Sequence, residues 1–558
     1  MTNQPSNPPI SAQTPAETAL ATVQAYATTP AGVVNYRSRG YLIVLGGAAE
    51  IETILDGLSA DLTTYVVMQD SCQPSLLKKL EARQVPVLDS ATEIEIEGFL
   101  GAFRVSVRHH GQMKRVDRCF GIPEPGFDLV LDLLTSPAVP QPIPPAGYFT
   151  LGVEPKKWKT IAEQLPDWVG EFDKPKYFEY TEAICAHSAC GIEGCRLCID
   201  VCDTGAIHSE NLQLRINPNL CQGCGDCTTI CPSGAIRYAY PQLSDNLNRI
   251  RLMLAAYAAA GGKVPVLLLH DARVSGQWLE THASSLPINV LPYELESVSA
   301  AGMDIWLAAL AYGAEQVLLL DGGHLSVNNR RCLEMQLEIA GRLLNGMGYS
   351  GTALRIVKKD DLLQQPMPLR SNRPAQRAAR FAGVDDKRRA IRLAADHLLD
   401  DAPVQQHSAA LADGASFGTL SIDPSRCTLC LDCVSVCPEA ALLDGGDRPQ
   451  LKIIEARCVQ CGLCAQTCPE DAITLVPRYL YDSHQAREPQ LLNEDAPFHC
   501  IQCGKPFATE TAIRSITEKL REHPMFQGDK LQRLQLCEEC RVTVLFDAAA
   551  SEPGGHER

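Results

Sequence analysis

The chain has 558 residues, 45% of them hydrophobic and 21% charged, with a formal net charge of −16. At roughly 150 residues per domain this length predicts about three to four folding units, and the acidic balance argues against nucleic acid as a partner. The composition is otherwise ordinary for a globular chain, so the 24 cysteines are the anomaly that needs a chemical reason.

Residues 1–35 are rich in Pro, Thr, Ala, Gln and Ser and read as a disordered arm. Up to position 34 they carry one charged residue, Glu17, and no basic region ahead of an apolar stretch. No signal peptide is recognisable there, and a cytoplasmic location is expected. Residues 36–150 read as a small α/β domain. The apolar run Tyr41 to Leu45 ends in Gly46-Gly47, a helical stretch reaches Leu58, and Tyr65 to Met68 completes a β-α-β unit. The glycine pair lacks a full Gly-x-Gly-x-x-Gly phosphate cradle and reads as a strand-ending turn.

Residues 244–360 read as a second α/β domain. Its buried parallel strands are expected at Val266 to Leu269, Asn289 to Leu291, Val317 to Leu320 and Leu354 to Val357. Asp321-Gly322-Gly323-His324 follows the third strand, where a loop at the carboxyl end of a sheet can contact a ligand. The apolar stretches Leu252 to His270 and Ile305 to Leu320 are broken by Gly, Lys, Pro, Glu or Gln, so neither spans a bilayer and no integral membrane protein is expected. Residues 361–415, charged and Ala-rich with helical spacing around Lys387 to Leu399, read as a helical, then polar, connector.

The cysteines crowd at two- and three-residue spacings inside a long chain, which suits metal ligation better than a disulfide framework. Four repeated segments, beginning at Cys185, Cys221, Cys427 and Cys458, form two pairs, at residues 170–243 and 416–483. In the second pair, Cys427-x2-Cys430-x2-Cys433-x3-Cys437-Pro438 precedes Cys458-x2-Cys461-x2-Cys464-x3-Cys468-Pro469. This is the bacterial dicluster ferredoxin run, in which three cysteines wrap one [4Fe–4S] cluster and the fourth reaches its neighbour. A cubane needs four thiolates and a short loop aims only three. The expected sets are therefore Cys427, Cys430, Cys433 and Cys468, and Cys437, Cys458, Cys461 and Cys464.

The first pair has one regular run, Cys221-x2-Cys224-x2-Cys227-x3-Cys231-Pro232, and one irregular run ending Cys195-x2-Cys198-x3-Cys202. Apolar residues lie seven and five positions before Cys221 (Leu214, Ile216), Cys427 (Leu420, Ile422) and Cys458 (Leu451, Ile453). Cys185 repeats this with Phe178 and Tyr180, so strand register favours Cys185 as the first ligand, with Cys190 the alternative. The sets are then Cys185, Cys195, Cys198 and Cys231, and Cys202, Cys221, Cys224 and Cys227. Asp203 stands where the other runs have proline. His187 is a second possible ligand but reads as a solvated loop residue.

Residues 490–545 read as a zinc ribbon. Cys500-x2-Cys503-Gly504 and Cys537-x2-Cys540 are two knuckles around a helical stretch from Thr509 to Glu522, and four soft sulfurs suit one Zn2+; a rubredoxin-like iron is the competing reading. Cys72, Cys119 and Cys332 read as small core residues, and His109 and His110 as a solvated pair. No nucleophile with a nearby base and no paired carboxylates stand out, so no catalytic residue is assigned. The fold class expected is multi-domain α/β plus α+β: two bacterial dicluster ferredoxin-like modules, Rossmann-like α/β segments and a C-terminal zinc ribbon.

With these residues in place, the chain from about Tyr41 to Val544 resembles the four-cluster iron–sulfur proteins of proteobacteria that accompany molybdenum or tungsten formate dehydrogenases. The stretches that carry the resemblance are Lys176-Tyr177-Phe178-Glu179-Tyr180, Cys185-Ala186-His187-Ser188 through Gly191-Ile192-Glu193-Gly194-Cys195, Gln222-Gly223-Cys224-Gly225, Cys427-Thr428-Leu429-Cys430 and Cys503-Gly504-Lys505-Pro506-Phe507. It implies an electron carrier with four [4Fe–4S] clusters, no substrate site of its own, and a redox enzyme such as a formate dehydrogenase as partner. The alternative reading is a maturation factor for a metalloenzyme that handles sulfur through its clusters or through a free thiol such as Cys190. A flavin-dependent reductase is a third.

Overall fold

The computed structural model describes residues 14–151, 158–188, 191–364, 375–446 and 448–551. Near the N-terminus, Tyr41–Gly46 is the central strand of a five-stranded parallel sheet. The order is Val87–Leu88, Thr63–Met68, Tyr41–Gly46, Leu129–Asp132, Tyr148–Thr150. Leu42 to Leu45 are buried because both faces are covered, which is why the strand reads as a continuous apolar run. Helix Ala48–Leu55 buries Ile51, Ile54 and Leu55 on one face, and an antiparallel meander, Ile94–Glu97, Arg104–His109 and Gln112–Arg115, covers the other. A methyl on Gly46 would come within 2.9 Å of the Leu133 Cβ, so the first glycine of the pair serves close packing at the strand end.

The second parallel sheet has the order Val290–Leu295, Val266–Asp271, Gln316–Asp321, Leu354–Lys358, each strand overlapping one of the four expected apolar runs, with Asn289 just outside the first. Helix Met303–Ala311 is buried at every position. A helix apolar at every position but Asp304 needs cover all round, and it is enclosed by the sheet and by helices Leu243–Ala259 and Lys387–Asp400. No described helix is long and apolar enough to cross a membrane.

Two expectations are corrected. Residues 14–35 are not a disordered arm: Pro15–Gln24 is a helix closed by a Thr14/Glu17 capping box, and Ala19 and Val23 are buried against helix Leu243–Ala259. Val33–Ser38 then pairs with Gly170–Pro175. A ten-residue helix, half of it Ala and Thr, is marginal alone, so composition hides it and tertiary packing makes it. Residues 361–415 are not a mere connector either, with 365–374 outside the described residues. Helix Lys387–Asp400 presents the stripe Ala390, Ile391, Ala394, Ala395 and Leu398 to a core that also holds Trp306, Leu343, Phe417, Tyr479 and Tyr481. One hydrophobic core therefore runs from the second α/β domain into the second cysteine module. Tyr481 reinforces it by donating to the Leu343 carbonyl at 2.6 Å.

The two cysteine modules repeat one plan. In each, the first strand pairs with the last and the middle two pair with each other: Phe178–Tyr180 with Ile236–Tyr238 and Ile207–Glu210 with Gln213–Ile216 in the first, Gly418–Ile422 with Ile473–Leu480 and Leu442–Asp444 with Gln450–Ile453 in the second. The hairpin Pro497–His499/Pro506–Thr509 and helices Glu510–Leu520 and Glu538–Ser551 follow the second module.

Candidate metal centres

Each cysteine run leaves a strand, turns tightly and ends in a one-turn helix, and its backbone explains how so short a loop aims three sulfurs inward. In the three regular loops the residues two and four positions after the first cysteine have positive φ: Gly223 and Gly225, Leu429 and Leu431, Gln460 and Gly462. Left-handed backbone costs a non-glycine residue roughly 1 kcal/mol or more, so Leu429, Leu431 and Gln460 mark a conformation the loop cannot do without. Three residues after the fourth cysteine of all four runs the chain is again left-handed, at Gly205, Gly234, Ala440 and Asp471. In the second module that turn aims the next N–H at the sulfur, from Ala441 to Cys437 at 3.2 Å and from Ala472 to Cys468 at 3.4 Å. Gln460 adds a side-chain N–H to the Cys458 sulfur at 3.2 Å.

These loops wall four separate cavities. Cys185, Cys195, Cys198 and Cys231 line one, and Cys202, Cys221, Cys224 and Cys227 line another. Cys427, Cys430, Cys433 and Cys468 line a third, and Cys437, Cys458, Cys461 and Cys464 a fourth. Every cavity takes three cysteines from one run and one from its partner. Cys190 lies outside the described residues. His187, expected in solvent, is buried, with Nδ1 3.0 Å from the Cys195 carbonyl and Nε2 2.8 Å from the Ser209 hydroxyl, so it braces the irregular loop.

The cavities suit an iron–sulfur cluster chemically. Burial, and after it the neighbouring sulfurs, raise the Cys433, Cys461 and Cys464 thiols to about 12 and push Cys227 far above the ordinary range. Four thiolates in one dry pocket are costly, and a cationic iron core offsets both the desolvation and the repulsion. Against burial, N–H groups two residues on favour the thiolate at Cys221, Cys458 and Cys461.

Near the C-terminus, the sulfurs of Cys500, Cys503, Cys537 and Cys540 all lie within 4.8 Å of one another, with Cys503 to Cys537 at 3.6 Å. A tetrahedral metal with sulfurs near 2.3 Å places them roughly 3.8 Å apart, so the set fits one zinc-sized ion. Gly504, at φ +74°, closes the knuckle and donates to the Cys500 carbonyl at 2.9 Å. Burial pushes the Cys500 thiol up, but N–H groups of Cys537, Cys503 and Gln502 together bring it down to about 6.

Of the remaining cysteines, Cys332 is buried and Cys72 is half-buried against the core of the first α/β domain, whereas Cys119 is exposed at the end of the short helix Val116–Cys119, so the core reading fails for Cys119. Sequence reasoning missed the residues that seat the modules. Asp203 accepts from the Ser326 hydroxyl and, at 2.7 Å, from the Asn328 amide at the N-terminus of helix Val327–Gly346, where the dipole favours a carboxylate. That docking accounts for an aspartate where the other runs have proline. Lys174 donates to the Asn219 carbonyl at 3.0 Å and the Cys221 carbonyl at 2.6 Å. Lys387 and Arg388 open helix Lys387–Asp400, where the dipole disfavours cations, and that misplacement was the available signal.

Two stretches match protein-family models. Residues 214–236 match one described as a 4Fe-4S binding domain, and residues 419–469 one described as a 4Fe-4S dicluster domain. The second match spans all eight cysteines of the second module. A search of the curated proteins returned no match. The chain is a mixed α/β protein carrying ferredoxin-type iron–sulfur domains, which points to iron–sulfur electron transfer.

Proposed function

We propose that the protein is an electron carrier holding four [4Fe–4S] clusters, one in each cysteine-walled cavity, with Cys185 supplying the first ligand of the irregular run. The observation that carries this reading is the partition of sixteen cysteines into four separate cavities of four, each drawn three-plus-one from paired runs. Bound clusters supply one-electron centres, charged by a low-potential donor and discharged to an acceptor. The chain's own part is to hold the thiolates, to point N–H groups at the sulfurs, and to line the cavities with apolar side chains such as Leu214, Ile236, Leu451 and Leu475.

A redox enzyme such as a formate dehydrogenase is the partner, on the strength of the resemblance. The Rossmann-like α/β domains set the geometry of the modules, and one Zn2+ on Cys500, Cys503, Cys537 and Cys540 staples the terminal ribbon. The test is anaerobic quantification of iron, sulfide and zinc with EPR of the reduced protein. About sixteen irons and one zinc per chain are expected, and about eight irons would overturn the four-cluster reading. Formate with purified formate dehydrogenase should reduce the clusters; failure would remove that partner and leave the carrier standing.

A further inference from the structure

The cavities are not two isolated pairs. Within the modules Cys198 lies within electrostatic reach of Cys227, and Cys433 within reach of Cys464. Across the modules Cys461 lies near Cys195, and the Leu463 side chain comes within 3.1 Å of where a Cβ on Gly194 would stand. Gly194 precedes Cys195, and Leu463 lines the Cys458 cavity. The spatial order is therefore the Cys221 site, the Cys185 site, the Cys458 site and the Cys427 site, with the module junction between the middle two.

One side chain ties that junction. Arg388 donates from Nη1 to the Pro232 carbonyl at 3.2 Å and the Ser416 carbonyl at 2.7 Å, and from Nη2 to the Ala456 carbonyl at 3.2 Å and the Cys458 carbonyl at 2.9 Å. Pro232 follows Cys231 and lines the Cys185 cavity, whereas Cys458 belongs to the next. The guanidinium also sits 4.4 Å over the Phe417 ring, which packs edge-on against Tyr479. Its neighbour Lys387 holds the first module through the carbonyls of Thr228 at 3.0 Å, Thr229, and Cys231 at 3.3 Å. Only a planar fork with five donors satisfies four carbonyls on two bodies at once; a lysine presents a point charge instead.

We infer that Arg388 is a positioning residue that locks the two modules so that the four sites form one unbroken series, and that it keeps a positive charge beside the Cys458 site. The inference rests on the four-cluster reading. A fixed cation beside a cluster favours its reduced, more negative state, so removing it lowers the potential. The alternative is two independently seated modules for which Arg388 is ordinary packing.

The experiment compares full-length wild type, Arg388→Gln and Arg388→Lys, each loaded anaerobically, by iron content, EPR-monitored redox titration and the EPR of the fully reduced protein. Arg388→Gln is expected to keep about sixteen irons, to shift one cluster to lower potential, and to weaken the magnetic interaction between modules. Arg388→Lys restores the potential while the weakened interaction persists. Full iron with unchanged potentials and spectra in Arg388→Gln would overturn the inference and leave the carrier reading intact. Should Arg388→Gln fail to load, Arg388→Lys decides, and an unchanged intermodule interaction in it overturns the inference. Loss of iron from both variants also overturns it, in favour of a general folding role. Low iron in the wild type sinks the four-cluster reading itself.

Discussion

Asp226 and Asp432 occupy the same place in two cysteine loops, each just before the third cysteine, and they live in opposite surroundings. Asp226 is fully buried, its carboxylate held by the Asn329 amide of helix Val327–Gly346 and pushed up to about 7 by burial. Asp432 is exposed. The residues before them differ to match. Gly225 and Leu431 are both left-handed, but a methyl on Gly225 would overlap the Ala300 backbone, whereas Leu431 is half-exposed. Thr229 extends that seal by donating to the Ser299 carbonyl at 2.6 Å. In the second module, Cys430 is the one exposed cysteine of the sixteen, and the Thr509 hydroxyl donates to the Thr428 carbonyl at 3.1 Å. One loop geometry thus tolerates either setting: the Cys221 loop is buried against the α/β domain, and the Cys427 loop opens at the surface.

The largest test of that contrast removes a proposed cluster ligand from each end. Cys227→Ala and Cys430→Ala should each lose about four of about sixteen irons. Only Cys227→Ala should also lower the melting temperature of the α/β core, because its loop packs beneath Val298–Ala300; iron analysis with thermal melting reads both. Equal melting shifts would mean the buried loop is not integral to the domain.

Next come the paired left-handed positions. Gly225→Ala should destabilise by about 2–3 kcal/mol, through overlap with Ala300 and left-handed strain together. Leu431→Gly should stay within about 1 kcal/mol of wild type, because lost strain offsets added chain entropy. Urea midpoints followed by near-UV dichroism separate them. Asn329→Ala leaves the buried Asp226 carboxylate short of its donor and should cost about 1–3 kcal/mol, against about 0.5 kcal/mol or less for Asp432→Asn. The smallest effect expected is at Lys519, whose ion pair with Glu470 at 2.8 Å lies on the surface near the Cys427 site. Lys519→Ala should cost less than about 1 kcal/mol and fade with added salt; a larger, salt-independent loss would show the open end to be more rigidly held than its exposure implies.

Much of the site is legible in the sequence because the information is local. Three cysteines at two-residue spacings on one loop, and the apolar positions five and seven residues upstream, depend on strand and turn geometry within about fifteen residues, so the four groupings that line the cavities could be written down from spacing. The parallel strands were legible for the same reason, as continuous apolar runs. Helix Pro15–Gln24 was not, because its support lies more than two hundred residues away on helix Leu243–Ala259. Helix Lys387–Asp400 was visible as a helix and misread as a connector, since a stripe of small apolar residues shows that a face is buried without showing against what.

What the sequence by itself determined is therefore local: the spacing of the cysteines along each loop, the strands that lead into them, and two further Cys-x2-Cys pairs near the C-terminus. The order of the four cavities, the burial of one end, the opening at Cys430 and the grip of Arg388 on two modules were decided only by the tertiary structure. Ligand spacing is a property of one loop. Proximity between loops separated by more than two hundred residues depends on packing and on hydrogen bonds to backbone carbonyls, and carbonyls carry no residue identity for a sequence to display.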